Sequence, residues 1–161
     1  MNNILECREL TKRYGAKTAL DGVDLALPGG RIVGLLGPNG SGKTTLIKLA
    51  CGLLVPTAGR VLIDGQAPGV ESKAKVSFLP ERDELPGWMA VTDLLDYFGD
   101  FYSDFDRSKA KDMLNRLDIS ERAKLRTMSK GTREKVQLIL VMSRAADLYL
   151  LDEPIGGVDP A

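Results

Sequence analysis

The sequence contains no histidine, one tryptophan and two cysteines, and its charges cancel, 22 basic against 22 acidic side chains. Without histidine there is no imidazole base or ligand. Cys7 and Cys51 stand far apart and make no C-x-x-C, which fits a reduced, cytosolic setting rather than a disulfide scaffold. Zero net charge argues against a broad basic footprint for nucleic acid. No apolar run approaches the ~18 residues of a membrane span. The greasiest stretch, Val136–Met142, has Gln137 inside it. The N-terminus carries Glu6 and lacks the basic-then-apolar pattern of a signal peptide. Internal repeats and low-complexity tracts are missing too. What is present is 161 residues, 43% apolar and 27% charged. That is one ordinary domain, large enough to bury a core without staples and too apolar to be disordered.

The first third reads as short strands. Val23, Leu25 and Leu27 alternate with Asp24 and Ala26, the period of a half-buried strand. Pro28-Gly29-Gly30 makes a turn. Ile32-Val33-Gly34-Leu35-Leu36 is a near-continuous apolar run, which predicts a strand buried on both faces of a parallel sheet. Leu46, Ile47, Leu49 and Ala50 then take helical spacing, with a stop at Gly52 and Pro56 beyond. Val61 and Ile63 alternate again before the hairpin-type pair Asp64-Gly65. From Val91 to Ala146 the pattern is helical, with Thr92, Asp106 and Ser120 as candidate N-caps. Ala110, Met113, Leu114 and Leu117 mark one apolar face, and Val136, Ile139, Leu140 and Ser143 another. Leu148-Tyr149-Leu150-Leu151 reads as a last buried strand. The expected class is α/β: a strand-rich part over 1–90, a helical part over 91–146, and a return to the central sheet over 147–161.

Gly37-Pro38-Asn39-Gly40-Ser41-Gly42-Lys43-Thr44 fits G-x-x-x-x-G-K-[ST], placed after the apolar run and at the start of a helix. Glycines let successive backbone N–H groups turn inward on an anion. The helix N-terminus adds donors and partial positive charge. Lys43 is expected to reach the β- and γ-phosphates, and the Thr44 hydroxyl to ligate Mg²⁺. Phosphoryl transfer also needs a carboxylate for the metal and a group to orient water. Asp152 and Glu153 follow the last strand, and ligands of open α/β sheets lie beyond the carboxyl ends of strands. Asp152 is expected to hold Mg²⁺ through water, and Glu153 to act as general base.

On these residues the chain resembles the ATP-binding cassette (ABC) ATPases, the nucleotide-binding domains of ABC transporters, from Leu5 to its last residue. The resemblance implies a P-loop NTPase core with a parallel central sheet, an N-terminal antiparallel β subdomain and a helical subdomain. It makes Tyr14 the aromatic residue that stacks on adenine. It extends the ATP-binding set over Gly37, Pro38, Asn39, Gly40, Ser41, Gly42, Lys43, Thr44 and Thr45. Pro56-Thr57-Ala58-Gly59 and Asp64-Gly65 match the family's next turn and strand. Gly157-Val158-Asp159 resembles the D-loop, with Asp159 facing a partner subunit.

Two motifs depart from the family pattern. The signature Leu-Ser-Gly-Gly-Gln reads Met128-Ser129-Lys130-Gly131-Thr132. Ser129 and Gly131 are kept, at the head of the helical run Arg133–Ala146, again a hydroxyl and amides suited to an anion. In the family this element binds the γ-phosphate held by a second ATP-binding subunit, so an ATP-sandwiched homo- or heterodimer is implied. Lys130 either adds charge there or is solvated, and solvation is the preferred reading. The second departure is Glu81, in Phe78-Leu79-Pro80-Glu81, where the family has a glutamine near Mg²⁺ and the membrane subunit. A carboxylate only accepts. Glu81 is therefore a candidate metal and catalytic residue, with a solvated side chain as the alternative. Both departures are similar to bacterial ABC-2-type exporter ATPases.

In the family a further strand after the D-loop ends in a histidine on the γ-phosphate, and this sequence has none. The expectation is a C-terminally incomplete domain with one sheet flank uncovered. It would also lack a donor whose loss costs roughly 10²–10³ in rate. The implied function is a MgATP-driven ATPase subunit of a transporter, cytoplasmic and peripheral on the inner face of the membrane. It would act with an integral membrane subunit and without nucleic acid. Alternatives are a soluble ABC-type ATPase acting on nucleic acid or the ribosome, a small-molecule P-loop kinase, or a non-hydrolysing nucleotide-binding fragment.

Overall fold

The computed structural model describes residues 3–82 and 85–153. The chain divides into two compact units, Met1–Val76 and Ser77–Ala161.

The first unit is built on a three-stranded antiparallel sheet of order β2-β1-β3, from β1 (Asn3–Tyr14), β2 (Lys17–Pro28) and β3 (Ala58–Ile63). Central β1 sets Leu5 between Leu27 and Ile63, so apolar side chains of three strands meet on one face. The expected alternation holds in β2, where Val23, Leu25 and Leu27 are half-buried and Asp24 and Ala26 exposed. Helix α1 (Lys43–Ala50) packs on β2 and β3 and buries Leu46, Ile47, Leu49 and Ala50. It ends as expected: the Gly52 N–H returns to the Leu49 carbonyl, 3.0 Å away, with Gly52 left-handed. Asp64 and Gly65, both at positive φ, turn the chain after β3, and α2 (Val70–Ala74) follows.

The apolar run Ile32–Leu36 is not the buried strand that its composition predicts. Residues 31–38 belong to no strand, and Ile32, Val33, Leu35 and Leu36 are exposed. A strand is made by hydrogen bonds to a neighbour. Among the described residues none runs beside this segment, so its apolar character has nothing to pair with.

The second unit joins β4 (Val76–Leu79) to β5 (Leu148–Leu151) in a two-stranded parallel sheet. Between them lie α3 (Val91–Phe101), α4 (Arg107–Arg116), a short 3₁₀ turn (Leu125–Thr127) and α5 (Lys130–Met142). Their core is Val91, Leu94, Leu95, Ala110, Leu114, Ile119, Leu125, Val136, Ile139 and Leu140. The two faces read from spacing are those buried, except that Leu117 is exposed beyond the end of α4.

Of the three candidate caps, Asp106 holds, accepting the Lys109 N–H at 2.9 Å. Thr92 does not cap α3. The Val91 and Thr92 amides of its first turn reach the Ala123 and Glu121 carbonyls instead, and the Asp93 carboxylate takes the Ala90 N–H. Tertiary carbonyls thus replace the side-chain cap. Ser120 heads no helix; its hydroxyl accepts from the Arg122 N–H in a turn. Helix α5 begins at Lys130 rather than Arg133 and ends at Met142.

Candidate functional site

In the first unit, Gly37, Pro38, Asn39 and Gly40 form an exposed loop that Ser41 closes, its N–H donating to the Pro38 carbonyl at 3.2 Å. Gly42 is the N-cap of α1 at φ 95°. A Cβ there would meet the Ala19 carbonyl oxygen at 2.5 Å, so sterics and conformation both demand glycine. The first turn of α1 is Lys43, Thr44 and Thr45, where a helix has N–H groups without intrahelical acceptors. No acidic side chain lies in that turn to compete with an anion. The Lys43 ammonium folds back over the loop and donates to the Gly37 carbonyl at 2.7 Å and the Pro38 carbonyl at 2.9 Å. A flexible ammonium at the mouth of an amide-lined loop is the equipment for a polyphosphate.

Tyr14 closes β1 at a tight turn through Gly15 and Ala16. Its ring is about half exposed and carries the Lys12 ammonium 5.3 Å from its centroid. The other ring face suits stacking, and Lys12, also bound to the Val55 carbonyl at 2.8 Å, adds positive charge beside it.

In the second unit, Asp152 follows β5 and is 3% exposed. Its N–H donates to the Leu79 carbonyl at 2.9 Å, which ties the end of β5 to the end of β4. Pro80 and Glu81 follow directly, so Asp152, Glu153 and Glu81 gather at one end of this sheet, as strand-end chemistry requires. Glu81 and Glu153 are exposed. Glu153 sits at φ 47°, a left-handed conformation uncommon outside glycine, asparagine and aspartate.

Ser129 is the N-cap of α5. Its hydroxyl oxygen accepts the Thr132 N–H at 3.1 Å and lies 2.8 Å from the Thr132 hydroxyl. Gly131 is exposed in the first turn, which again holds no acidic side chain. Lys130 points away into an i,i+4 pair with Glu134 at 3.7 Å, the arrangement of a solvated lysine. Thr132, to which the family signature gives no role, receives the cap, its N–H and hydroxyl both meeting the Ser129 hydroxyl. Asp159 and the rest of the D-loop-like segment lie outside the described residues.

Among the described residues, no group of three or more His, Cys, Asp or Glu side chains could cage a metal. Mg²⁺ does not need such a cage, since it is usually held by one or two side chains, substrate phosphates and waters. The Thr44 hydroxyl in the first unit and the Asp152 carboxylate in the second each offer the oxygen donor that Mg²⁺ takes. Among the described residues no helix is long and apolar enough to cross a membrane.

Residues 20–156 match the family model described as ABC transporter. The uncharacterized ABC transporter ATP-binding protein YhaQ of Bacillus subtilis is 35% identical over 162 residues, covering 98% of this chain and 54% of its own length. The Nod factor export ATP-binding protein I of Ralstonia nicotianae is 33% identical over 165 residues, covering 98% and 51%. The chain thus spans about half the length of these curated relatives. A solved structure described as a putative ABC transporter ATP-binding protein from Pyrococcus furiosus superposes with a TM-score of 0.84 at 32% identity. It covers 97% of this chain and 78% of that one. The chain belongs to the ABC transporter family of ATP-binding proteins.

Proposed function

We propose that the protein is the ATP-hydrolysing subunit of an export-type transporter, peripheral on the cytoplasmic face of the membrane. In this reading it couples MgATP-driven dimerisation to substrate movement by a separate integral membrane subunit. The observation that carries it is the loop Gly37–Thr44, with Lys43 folded across its carbonyls at the head of an acid-free helix turn. The export direction draws on Lys130 and Glu81 and on a relative whose name denotes export.

The chain's own residues divide the work. Backbone N–H groups from Asn39 to Thr45 and the Lys43 ammonium hold the phosphates, the ammonium exchanging two carbonyls for phosphate oxygens. Thr44 and Asp152 would hold Mg²⁺, which when bound neutralises charge developing on the phosphates. Glu153, exposed and acceptor-only, takes a proton from the attacking water. Glu81, beyond β4 on the same sheet end as Asp152, is a second acceptor for the metal shell. Tyr14 stacks on the base. Ser129 and Gly131 address the γ-phosphate held by a second ATP-binding subunit.

The test is equilibrium binding of MgATP to wild type and to Lys43→Ala. Wild type is expected to bind, and the variant to lose at least about tenfold in affinity, as when a charge-assisted contact is removed. Equal binding by both overturns the assignment.

A further inference from the structure

Lys12 and Tyr14 stand two positions apart at the end of β1, and they meet. The Tyr14 ring is 47% exposed, yet one of its faces is taken by the Lys12 ammonium. That ammonium is held from a second side, where it donates to the Val55 carbonyl at 2.8 Å. Lys12 is half-buried, so its charge has a set place instead of sweeping through solvent. Val55 lies in the loop that leaves the far end of α1, the helix whose head is the phosphate loop. The Leu53 N–H returns to the Lys48 carbonyl at 2.9 Å, which starts this loop locked to the helix. Two further bonds sew the loop to β1. The Thr57 N–H donates to the Thr11 carbonyl at 2.8 Å, and the Arg13 N–H to the Thr57 hydroxyl oxygen at 3.0 Å.

These backbone bonds fix the strand end, but an exposed ring still turns about its own side-chain bonds. The Lys12 ammonium extends the stitching from the loop to the ring. A nucleotide carries its base and its phosphates a fixed length of bonds apart. A ring already placed relative to α1 therefore loses less freedom when the base arrives than one that must first be ordered. We propose that Lys12 is the positioning residue of the base site: it holds one face of the Tyr14 ring, ties that ring to the loop after α1, and leaves the opposite face for the base. This rests on the reading of Tyr14 as the platform for the base and adds the group that sets the platform. Lys12 acts through Tyr14 and touches neither base nor phosphate. Its removal must therefore be felt by ligands that carry a base and ignored by those that do not.

The experiment is calorimetric titration of the full-length protein with MgATP and, separately, with magnesium tripolyphosphate, which fills a phosphate loop but has no base. Lys12→Met keeps the stem and removes the charge and the donor. It is expected to weaken MgATP about fivefold, the value of an exposed cation–ring contact, and to leave tripolyphosphate unchanged. Lys12→Arg is expected to restore MgATP binding, because a guanidinium supplies both the cation and the donor. Tyr14→Ala is expected to weaken MgATP about tenfold or more, as loss of a stacking ring does. Adding Lys12→Met to Tyr14→Ala is expected to cost nothing further, since no ring is left to hold. The proposal is overturned if Lys12→Met binds MgATP like wild type, or if Lys12→Arg fails to restore binding. It is also overturned if Lys12→Met weakens both ligands alike, the mark of a direct phosphate contact or of general damage, or if it still weakens MgATP when Tyr14 is gone. Any of these results with a normal wild type and a weakened Tyr14→Ala sinks the role of Lys12 alone. Wild type that does not bind MgATP sinks the nucleotide reading, and Tyr14→Ala of wild-type affinity sinks the stacking; either takes the role of Lys12 with it.

Discussion

Gly42 approaches the backbone of Ala19 so closely that a Cβ would lie 2.5 Å from the Ala19 carbonyl oxygen and 2.8 Å from a Leu20 methyl. Strand β2 is thereby the wall against which the phosphate loop turns into α1. Gly42→Ala is expected to destabilise the protein by about 2 kcal/mol or more, from left-handed strain plus a backbone clash that cannot relax, and to abolish MgATP binding. Gly40, at φ 80° with nothing within 4 Å of its missing Cβ, is the control. Gly40→Ala is expected to cost only the strain, about 1 kcal/mol. Urea unfolding of the two variants separates clash from strain, and equal costs would refute the wall.

At the head of α5, Ser129 and Thr132 share two contacts of unequal origin. The Thr132 N–H survives replacement of the side chain by valine, while the 2.8 Å hydroxyl contact does not. Ser129→Ala is expected to cost about 1 kcal/mol, the usual loss of a serine cap. Thr132→Val keeps the cap and is expected to cost less than Ser129→Ala in the same thermal melt. The reverse order would mean that the hydroxyl pair, not the cap, holds the helix end.

The parts of this molecule legible in its sequence are those that depend on local chemistry. Gly42 and Lys43 declared the loop because few other residues tolerate that backbone or supply that cation. Val23, Leu25 and Leu27 declared β2 because one face of the sheet is covered. The buried faces of α4 and α5 followed from spacing. What failed was non-local. Ile32–Leu36 has the composition of a buried strand, but a strand depends on a neighbour that its own residues do not encode. Thr92 has the chemistry of a cap, yet carbonyls from residues 121 and 123, some thirty positions along the chain, do that work. The gathering of Glu81 with Asp152 and Glu153 was half legible: strand ends were readable, but the Asp152–Leu79 hydrogen bond that aligns them was not.

Arg144 is 4% exposed, and its guanidinium grips Asp104 with two hydrogen bonds of 3.0 Å. It also stacks 4.0 Å from the centroid of Tyr102. The Tyr149 hydroxyl donates to the Arg144 carbonyl and accepts the Ala146 N–H, tying this cluster to β5. Asp104→Ala removes one carboxylate from a buried cation and is expected to cost about 1–3 kcal/mol. Arg144→Met with Asp104→Leu removes both charges and is expected to cost clearly less. Chemical denaturation of the single and double variants measures the difference, and additive costs would contradict a coupled pair.

Burial pushes the Cys7 thiol up to about 11, with the nearby Asp24 charge adding to the effect. The unfolded chain ionises this thiol near pH 9 while the folded chain keeps its proton, so the folded state binds more protons in that window. Stability must therefore fall as pH rises from 9 to about 11, by about 2 kcal/mol. Cys7→Ala is expected to flatten the decline over that range in urea titrations run at successive pH values. An unchanged slope would show that other groups cause the loss.

Glu153 joins two demands that separate under substitution. Its φ of 47° costs the fold, and its exposed carboxylate is the proposed base. Glu153→Gln keeps size and backbone but cannot take a proton. It is expected to bind MgATP, to hydrolyse it at least about 10²-fold more slowly, and to sediment as a dimer with MgATP in the full-length protein. Glu153→Gly loses the same rate but is released from left-handed strain, so its stability is expected to rise by about 1 kcal/mol. Equal loss of activity, with a raised melting temperature in Glu153→Gly alone, identifies the carboxylate, not the turn, as the working part. If Glu153→Gln hydrolyses ATP at the wild-type rate, or stays monomeric with MgATP, Glu153 is not the base that ends the closed state.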